Sequence, residues 1–309
     1  MKERIVFMGT PNFAAYILEG LLKADYNIVG VVTQPNKEVG RKRVLTPSPV
    51  KEIALKYNLP VLTPARIRKD FEGVLNLEPD LIISSAYGQI IPSDILNYPK
   101  YKCINTHGSL LPKYRGGAPI QRAIINGETK TGITIMYMNE KMDEGDILYQ
   151  REMDIDINDT NSSLFDKLSK LSLDMLLEFL PKIFNGDIKP IAQDHSKATY
   201  APNLEKEIEH IFFNKETLKV YNHIRGLLDN PGCFFMMQGK KYKIEKVDFE
   251  LSENTRTNIF VGLEKDYLRF DCIDGFIKVY VIKPEGKNSM DSKSFFNGVG
   301  RNLVGVTLE

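Results

Sequence analysis

The segment Ile5-Val-Phe-Met-Gly-Thr-Pro-Asn12, with the helical pattern that follows it to Leu22, decides the fold of the N-terminal part of the chain. Its four consecutive apolar residues predict a short strand that is buried on both faces. Gly9 and Pro11 predict a turn, and the periodic apolar residues after them predict a helix. A buried strand that leads through a turn into a helix is typical of a parallel sheet covered by helices.

The same alternation continues along the chain. Further strands are predicted over residues 28–33, 59–62, 80–84, 102–105 and 132–137, and Ser48 is a candidate cap for a helix over 49–57. A long helix is predicted to begin near Thr160 or Asn161, with apolar residues at helical spacing at Leu164, Leu168, Leu171, Met175 and Phe179. Because the strands are apolar throughout, we expect an α/β fold with a Rossmann-like parallel sheet.

The chain changes character near residues 185–205, where Asn185-Gly-Asp-Ile-Lys-Pro190 ends the helical pattern and a polar segment follows. Beyond it we predict a helix over 217–228 and five short strands, over 233–237, 241–249, 259–263, 267–271 and 276–282. Such strands are compatible with a small β-barrel like the oligonucleotide/oligosaccharide-binding (OB) fold. The expected organisation is a catalytic domain over 1–190, a linker over 191–204 and an OB-like domain over 205–309.

Composition limits the class of protein. The 309 residues are 42% hydrophobic and 26% charged with a formal net charge of +1, which is ordinary for a soluble protein with two domain cores. No apolar run is long enough to cross a bilayer, and the first residues lead straight into a strand, so we expect neither a membrane span nor a signal peptide. The three cysteines are far apart, which indicates a reducing cytoplasm and argues against disulfides. We expect a monomer.

Asn105-Thr-His-Gly-Ser-Leu-Leu-Pro112 and Asp143-Glu-Gly-Asp146 carry the clearest chemical signal. An amide and an imidazole two residues apart on an extended segment point to the same side. Asn105 can then donate to a developing oxyanion while His107 handles a proton, and Asp143 can orient the imidazole. Because neither a cysteine nor a serine lies in a nucleophile elbow, we expect direct attack of a substrate amine on an acyl group.

Two other kinds of site are disfavoured. The acidic residues Asp143, Glu144 and Asp146 lie in one loop without the spacing of a calcium loop, so no metal is expected, and Glu144 and Asp146 are interpreted as turn residues. The turn at Gly9-Thr-Pro11 lacks the dinucleotide fingerprint, and Pro11 lacks an amide that could hold phosphate. This counts against a nicotinamide enzyme and leaves the turn an indirect role in shaping the site.

Further motifs follow one another in order along nearly the whole chain. They are Phe7-Met-Gly-Thr-Pro-Asn-Phe13, Thr33-Gln-Pro35, Thr46-Pro-Ser-Pro-Val-Lys51, Ala86-Tyr-Gly-Gln-Ile-Ile-Pro92, Arg115-Gly-Gly-Ala-Pro-Ile-Gln121, Thr131-Gly-Ile-Thr134, Ala198-Thr-Tyr-Ala-Pro202 and Ile224-Arg-Gly226. With the two stretches above, the chain resembles the bacterial methionyl-tRNA formyltransferase family. The resemblance implies an enzyme of translation initiation, which transfers the formyl group of 10-formyltetrahydrofolate to the α-amine of methionyl-initiator tRNA. It also implies a barrel-like tRNA-binding second domain.

The resemblance assigns roles residue by residue. The implied catalytic residues are Asn105, His107 and Asp143. The implied folate contacts are Ser109, Leu110, Leu111 and Pro112, and we expect Tyr87, Gly88 and Ile90 to complete an apolar slot for the pterin. A mobile basic loop over 35–47 is implied to contact the tRNA, with Lys37, Arg41, Lys42 and Arg43 as the candidate residues.

Two features of the charge distribution differ from those of a strongly basic, nucleic-acid-binding protein. Glu38 dilutes the charge of the basic loop, and residues 191–309 contain as many acidic as basic side chains. We therefore expect any tRNA-binding face of the second domain to be local, around Lys240, Lys241, Lys243 and Lys246.

Several alternatives remain open. A formyltransferase that acts on a sugar nucleotide or a purine precursor would share the three catalytic residues, although not the basic loop with Thr46-Pro-Ser-Pro-Val-Lys51 and the complete second domain. A formyltetrahydrofolate hydrolase would use water in place of the amine. A tRNA-binding protein without activity is disfavoured by the intact catalytic residues. Aromatic side chains of the second domain can stack on bases, but core packing is favoured for Phe212, Phe213, Phe234 and Phe235, and His195, His210 and His223 are interpreted as structural or exposed.

Overall fold

The computed structural model describes residues 2–40, 42–253 and 256–309. By internal packing the chain divides into two compact units. The first comprises Met1–Pro119, Lys130–Asp154 and Phe165–Pro202, and the second comprises Ile120–Thr129, Ile155–Leu164 and Asn203–Glu309. Residues 191–202 thus pack with the first unit, and the domain limits expected at 190 and 204 stay a prediction. Among the described residues, none of the helices is both long and apolar enough to cross a membrane.

A seven-stranded sheet organises the first unit. The strands are β1 (Ile5–Gly9), β2 (Ile28–Val32), β3 (Lys37–Val39), β4 (Val44–Thr46), β5 (Val61–Leu62), β6 (Leu81–Ser85), β7 (Cys103–His107), β8 (Lys130–Tyr137) and β9 (Ile147–Asp154). The sheet has the order β5-β2-β1-β6-β7-β8-β9, and β3 and β4 form a separate hairpin. The five strands from β5 to β7 are parallel, whereas β8 and β9 are antiparallel additions.

The predicted strands of this half are present within a few residues, and the Rossmann-like parallel core is confirmed. The parallel direction expected for the strand over 132–137 is wrong, because β8 runs antiparallel to β7. An apolar sequence indicates that a strand is buried on both faces, but it does not indicate whether the strand runs parallel or antiparallel to its neighbours. The patterns do not predict β9, since its outward-facing polar residues dilute the apolar signal.

The helices of the N-terminal half are α1 (Asn12–Lys23), α2 (Pro49–Lys56), α3 (Glu72–Leu75), α4 (Ser93–Leu96), α5 (Pro119–Ile125) and α6 (Asn161–Asn185). The predicted cap of α2 is confirmed, since the Lys51 amide donates to Ser48 Oγ at 3.1 Å. Ser48 Oγ also lies 2.6 Å from Thr33 Oγ1, which ties α2 to the end of β2. Helix α6 begins in the predicted cap region and buries the apolar stripe at Leu164, Leu168, Met175 and Phe179.

Most of α5 belongs to the second unit, whose largest segment, Asn203–Glu309, contains an antiparallel sheet and, among its described residues, two α-helices. Its elements are α7 (Thr217–Arg225), β10 (Cys233–Met237), β11 (Lys240–Leu251), β12 (Ile259–Glu264), β13 (Tyr267–Asp271), β14 (Gly275–Pro284), β15 (Met290–Asp291) and α8 (Ser292–Gly298). The main strands have the order β10-β11-β14-β13-β12, and β15 pairs with β14. The five predicted strands are confirmed.

The last residues of the chain connect the two edges of this sheet. On β12, the Phe260 amide donates to the Val306 carbonyl at 3.0 Å, and just before β12 the Asn258 carbonyl accepts from the Leu308 amide at 2.9 Å. On β10, the Glu309 amide donates to the Met236 carbonyl at 3.0 Å. Hydrogen bonding therefore runs from one edge strand through the tail to the other, as an OB-like barrel requires.

Aromatic rings fill the centre of the second unit. The Phe213 ring lies 5.5 Å from that of Phe235 and 5.3 Å from that of Phe270, and all three side chains are fully buried. The expected core role is confirmed for Phe213 and Phe235. It is wrong for Phe212, which is 43% exposed, and for Phe234, which is only partly buried, because consecutive residues of an extended segment face opposite sides.

We predict that Phe213→Ala destabilises the protein by about 3–5 kcal/mol, because it removes a buried ring and leaves a cavity. Phe212→Ala, the matched change at the neighbouring exposed ring, is expected to cost less than about 1 kcal/mol. Urea unfolding of the full chain, followed by circular dichroism, measures both. Equal losses in the two variants would contradict this account of the core.

Candidate active site

Strand β7 carries the amide and the imidazole singled out in the sequence. It is paired on both sides, with Asn105 opposite Ser84 of β6 and Met136 of β8, and His107 opposite Thr134 of β8. Residues two apart on a strand share a face, so both side chains leave the sheet on the same side, toward the carboxyl end of β7. The His107 side chain is buried, whereas that of Asn105 is partly exposed.

Both ring nitrogens of His107 face oxygen atoms. Nε2 lies 2.8 Å from the carbonyl oxygen of Tyr114, and since a carbonyl can only accept, Nε2 carries a proton. Nδ1 lies 3.7 Å from Oδ1 of Asp143, which is too far for a strong hydrogen bond. Both side chains are largely shielded from water, with exposures of 7% for His107 and 13% for Asp143. The expected pairing of His107 with Asp143 is therefore present in the structure.

Asp143 is held in an unusual backbone conformation. Its φ angle is +54°, in the left-handed region that is costly for residues with a side chain. Its Oδ2 accepts a hydrogen bond from the Gly116 amide at 2.8 Å, which aims the carboxylate toward His107. Gly145 permits the turn, since a Cβ atom there would lie 1.8 Å from the Tyr137 carbonyl oxygen. The prediction that Gly145 allows a tight turn is confirmed.

The antiparallel strands β8 and β9 hold the loop after β7 through side-chain hydrogen bonds. Thr134 of β8 donates from Oγ1 to the Ser109 carbonyl at 2.6 Å and accepts from the Leu111 amide at 3.1 Å. Gln150 of β9 donates to the Leu111 carbonyl at 3.0 Å. Of the folate candidates, Leu111 is buried and the Ser109 hydroxyl donates to the Lys113 carbonyl, whereas Leu110 and Pro112 are partly exposed.

The loop after β6 supplies the other folate candidates. The Tyr87 ring is buried in the core of the first unit, and this burial raises the pKa of its hydroxyl to about 12. The Tyr87 carbonyl accepts from the Thr10 hydroxyl at 2.9 Å, so the turn after β1 shapes this loop. Gly88 and Ile90 are exposed, and Ile90 is 52% exposed. Tyr87 thus supports the loop from inside, while Gly88 and Ile90 lie on its surface.

The basic loop is the β3-β4 hairpin. Lys37 pairs with Thr46 across it, and Lys37, Lys42 and Arg43 are all exposed. The Arg43 guanidinium lies 3.7 Å from the Glu38 carboxylate, so part of its charge is already balanced. Arg41, the remaining candidate residue, lies outside the described residues.

The sequence patterns miss three residues around Asp143. Arg115 is almost fully buried, and its Nη1 lies 3.4 Å from Oε1 of Glu144. Gln193 accepts from Arg115 Nη2 at 2.7 Å and donates to the carbonyl oxygens of Asp143 and Gly145. Glu144 is therefore more than a turn residue. The only signal for Arg115 is its position before two glycines, and Gln193 falls in the segment expected to be a linker.

The arrangement suits acyl transfer. A partly exposed amide, a buried imidazole and a carboxylate converge at the end of one strand, where they can serve an oxyanion and a proton transfer. Within the described ranges, no three His, Cys, Asp or Glu side chains form a group that could hold a metal ion.

Comparison with known proteins identifies the family. A family model described as formyl transferase matches residues 3–180, and a second, described as formyl transferase, C-terminal domain, matches residues 203–300. The methionyl-tRNA formyltransferase of Ligilactobacillus salivarius is 44% identical over 97% of this chain and 96% of its own length. The enzyme of the same name from Bacillus cereus is 46% identical over 96% of this chain and 95% of its own length.

Solved structures share the fold at lower identity. HypX from Aquifex aeolicus, in complex with tetrahydrofolic acid, has a TM-score of 0.70 and 17% identity over 98% of this chain and 48% of its own. WlaRD, a sugar 3N-formyl transferase, has a TM-score of 0.68 and 23% identity over 93% of this chain and 100% of its own. These structures support the fold, and the two family models and the two relatives lead to one conclusion: the chain belongs to the formyl transferase family, among the methionyl-tRNA formyltransferases.

Proposed function

We propose that this protein transfers the formyl group of 10-formyltetrahydrofolate to the α-amine of methionyl-initiator tRNA, the step that prepares this tRNA for translation initiation. The observation that carries the proposal is the convergence of Asn105, His107 and Asp143 at the carboxyl end of β7. Relatives of nearly equal length and 44–46% identity bear the name of this activity. We also propose that the protein works in the cytoplasm, as a monomer.

The proposed reaction is a direct transfer between two nitrogen atoms. The unprotonated methionyl amine attacks the formyl carbon, and the new carbon–nitrogen bond forms as the carbonyl oxygen becomes negative. Asn105 donates a hydrogen bond to that oxygen. The bond from carbon to the folate nitrogen then breaks, and the proton lost by the amine passes to the leaving nitrogen with the help of His107.

Asp143 serves this reaction through the histidine. Nε2 donates its proton to the hydrogen bond with the Tyr114 carbonyl, so Nδ1 is the nitrogen free to gain and lose a proton. The Asp143 carboxylate, 3.7 Å away, stabilises the positive charge that the ring acquires when Nδ1 is protonated. A charged imidazole in turn stabilises the oxyanion.

The folate slot is proposed to use the exposed surfaces of two loops. Gly88 and Ile90 offer one side, and Leu110 and Pro112 offer the other. The buried members of the predicted set, Ser109, Leu111 and Tyr87, hold these loops in shape and are proposed to act indirectly.

Two basic surfaces are proposed to contact the tRNA, one in each unit. In the first unit it is the β3-β4 hairpin with Lys37, Arg41, Lys42 and Arg43. In the second unit it is a row of side chains across three strands, where Phe234 of β10 is opposite Lys243 of β11, which is opposite Lys283 of β14. Directly opposed residues share one sheet face, and Lys241 lies above the Phe234 ring at 3.5 Å. Cations beside an aromatic ring suit a nucleic-acid backbone.

The nearest alternative substrate is a sugar nucleotide, since WlaRD is named a sugar 3N-formyl transferase. That likeness is at 23% identity and supports the fold alone. A formyltetrahydrofolate hydrolase would need water at the position of the amine. Both alternatives make distinct predictions in one assay.

Labelled formyl is expected to move from 10-formyltetrahydrofolate to methionyl-initiator tRNA. Free methionine, uncharged tRNA and an amino sugar nucleotide are the controls, and formate release is followed in parallel. Transfer to the sugar nucleotide alone, or formate release at the same rate without any acceptor, would reject the proposed substrate.

We predict that Asn105→Ala, His107→Ala and Asp143→Asn each lower turnover by roughly a hundredfold or more, the typical loss for an oxyanion or proton-transfer group. Asp146→Asn is the matched control, because Asp146 is an exposed carboxylate of the same loop. Single-turnover formylation measures all four. Near-normal turnover in any of the first three variants would remove that residue from the mechanism.

We predict that the double change Lys243→Glu and Lys283→Glu raises the KM for methionyl-tRNA about tenfold or more at low salt, because phosphate contacts depend on charge. Changing Lys219 and Lys265 to Glu is the control, as both are exposed and lie outside the row. The KM for folate should stay the same in both proteins. If the two pairs behave alike, the row has no special role and only net charge matters.

A further inference from the structure

The loop that carries Asp143 needs an external support. The φ of Asp143 is +54°, in the left-handed region that few residues other than glycine adopt. Gln193, which is 6% exposed, supplies two hydrogen bonds to this loop. Its Nε2 donates to the Asp143 carbonyl at 2.8 Å and to the Gly145 carbonyl at 2.7 Å. The two bonds bracket the turn and hold its backbone from both sides.

The orientation of the Gln193 amide is set by Arg115. The arginine donates from Nε at 3.2 Å and from Nη2 at 2.7 Å to Oε1 of Gln193. A guanidinium offers only donors, so the amide oxygen must face it and the amide nitrogen must face the loop. Nη1 of Arg115 is also 3.4 Å from Glu144, within the same loop. The buried arginine therefore holds the loop directly and through Gln193.

The backbone beside Arg115 connects this support to the reaction centre. The Arg115 amide donates to the Thr199 carbonyl at 2.8 Å, and the Ala201 amide donates to the Arg115 carbonyl at 2.6 Å. One residue earlier, the Tyr114 carbonyl accepts from His107, and one residue later, the Gly116 amide donates to the Asp143 carboxylate. The consecutive residues 114–116 thus hold the His107 ring, the Gln193 amide and the Asp143 carboxylate in turn.

We propose that Gln193, oriented by Arg115, is a positioning residue for formyl transfer, because it holds Asp143 at the distance from His107 that the reaction requires. The proposal rests on the proposed function, since it assigns the effect of Gln193 to the part that Asp143 plays in transfer. The Gln193 side chain is buried and its amide is bonded to Arg115 and to two loop carbonyls, so its effect should appear in kcat and not in substrate binding.

Gln193→Glu is the sharpest probe. The glutamate keeps an oxygen for Arg115 but turns a second oxygen, which is an acceptor, toward the two loop carbonyls. We expect kcat to fall about tenfold while the KM values for folate and methionyl-tRNA change less than twofold. Gln193→Met, which is neutral and of similar length, should behave alike and replaces the first variant if that one does not fold. Asp194→Asn, the exposed neighbour, is the control and should match the unchanged protein.

A double-mutant cycle with Asp143→Asn decides whether the effect passes through the carboxylate. We expect Gln193→Glu to change kcat less than twofold in the Asp143→Asn background. A tenfold loss in that background as well, or a normal kcat in both Gln193 variants, would overturn the positioning role and leave the proposed function intact. Normal turnover in Asp143→Asn alone would instead remove Asp143 from the mechanism, and the positioning role with it.

Discussion

The pairing of β7 with a neighbour on each side is the constraint on which the site depends. Parallel β6 and antiparallel β8 fix its register together, and Thr106 anchors the opposite face through a 2.9 Å hydrogen bond to Ser85. A slip of one residue would turn Asn105 and His107 away from their side of the sheet. The direction of these two side chains is therefore a property of the whole sheet.

The antiparallel strands extend this control to the loops. Thr134 and Gln150 hold the loop after β7 from β8 and β9, and the connection between those two strands carries Asp143. The carboxylate, however, is placed by groups from elsewhere, namely the Gly116 amide and the Gln193 side chain. The site thus combines a rigid strand with a loop that other groups must hold in place. The position of this loop sets the distance between the Asp143 carboxylate and the His107 imidazole.

Local signals account for what could be predicted. Apolar runs revealed the strands, Ser48 revealed a helix start, and two-residue spacing paired Asn105 with His107. The direction of β8 depends on its partner strand, which no local pattern specifies. The sequence patterns did not identify Arg115, because a buried arginine contradicts the usual exposure of charged residues. The sequence patterns did not identify Gln193, because its contact with Asp143 spans fifty residues of chain. A polar, extended segment also resembles a linker whether or not its side chains form hydrogen bonds within the fold.

The tail that joins β12 to β10 has a consequence for how the protein behaves in a crowded solution. Terminal strands of an open sheet present unpaired amides and carbonyls to which a strand of another molecule can add. Here residues 305–309 bond to Phe260 and Asn258 at one edge and to the Met236 carbonyl at the other. If the tail detached, the backbone groups that it bonds would be left open at both edges, on a unit whose interior is rich in phenylalanine. The tail therefore leaves fewer backbone groups at these two edges for intermolecular strand addition.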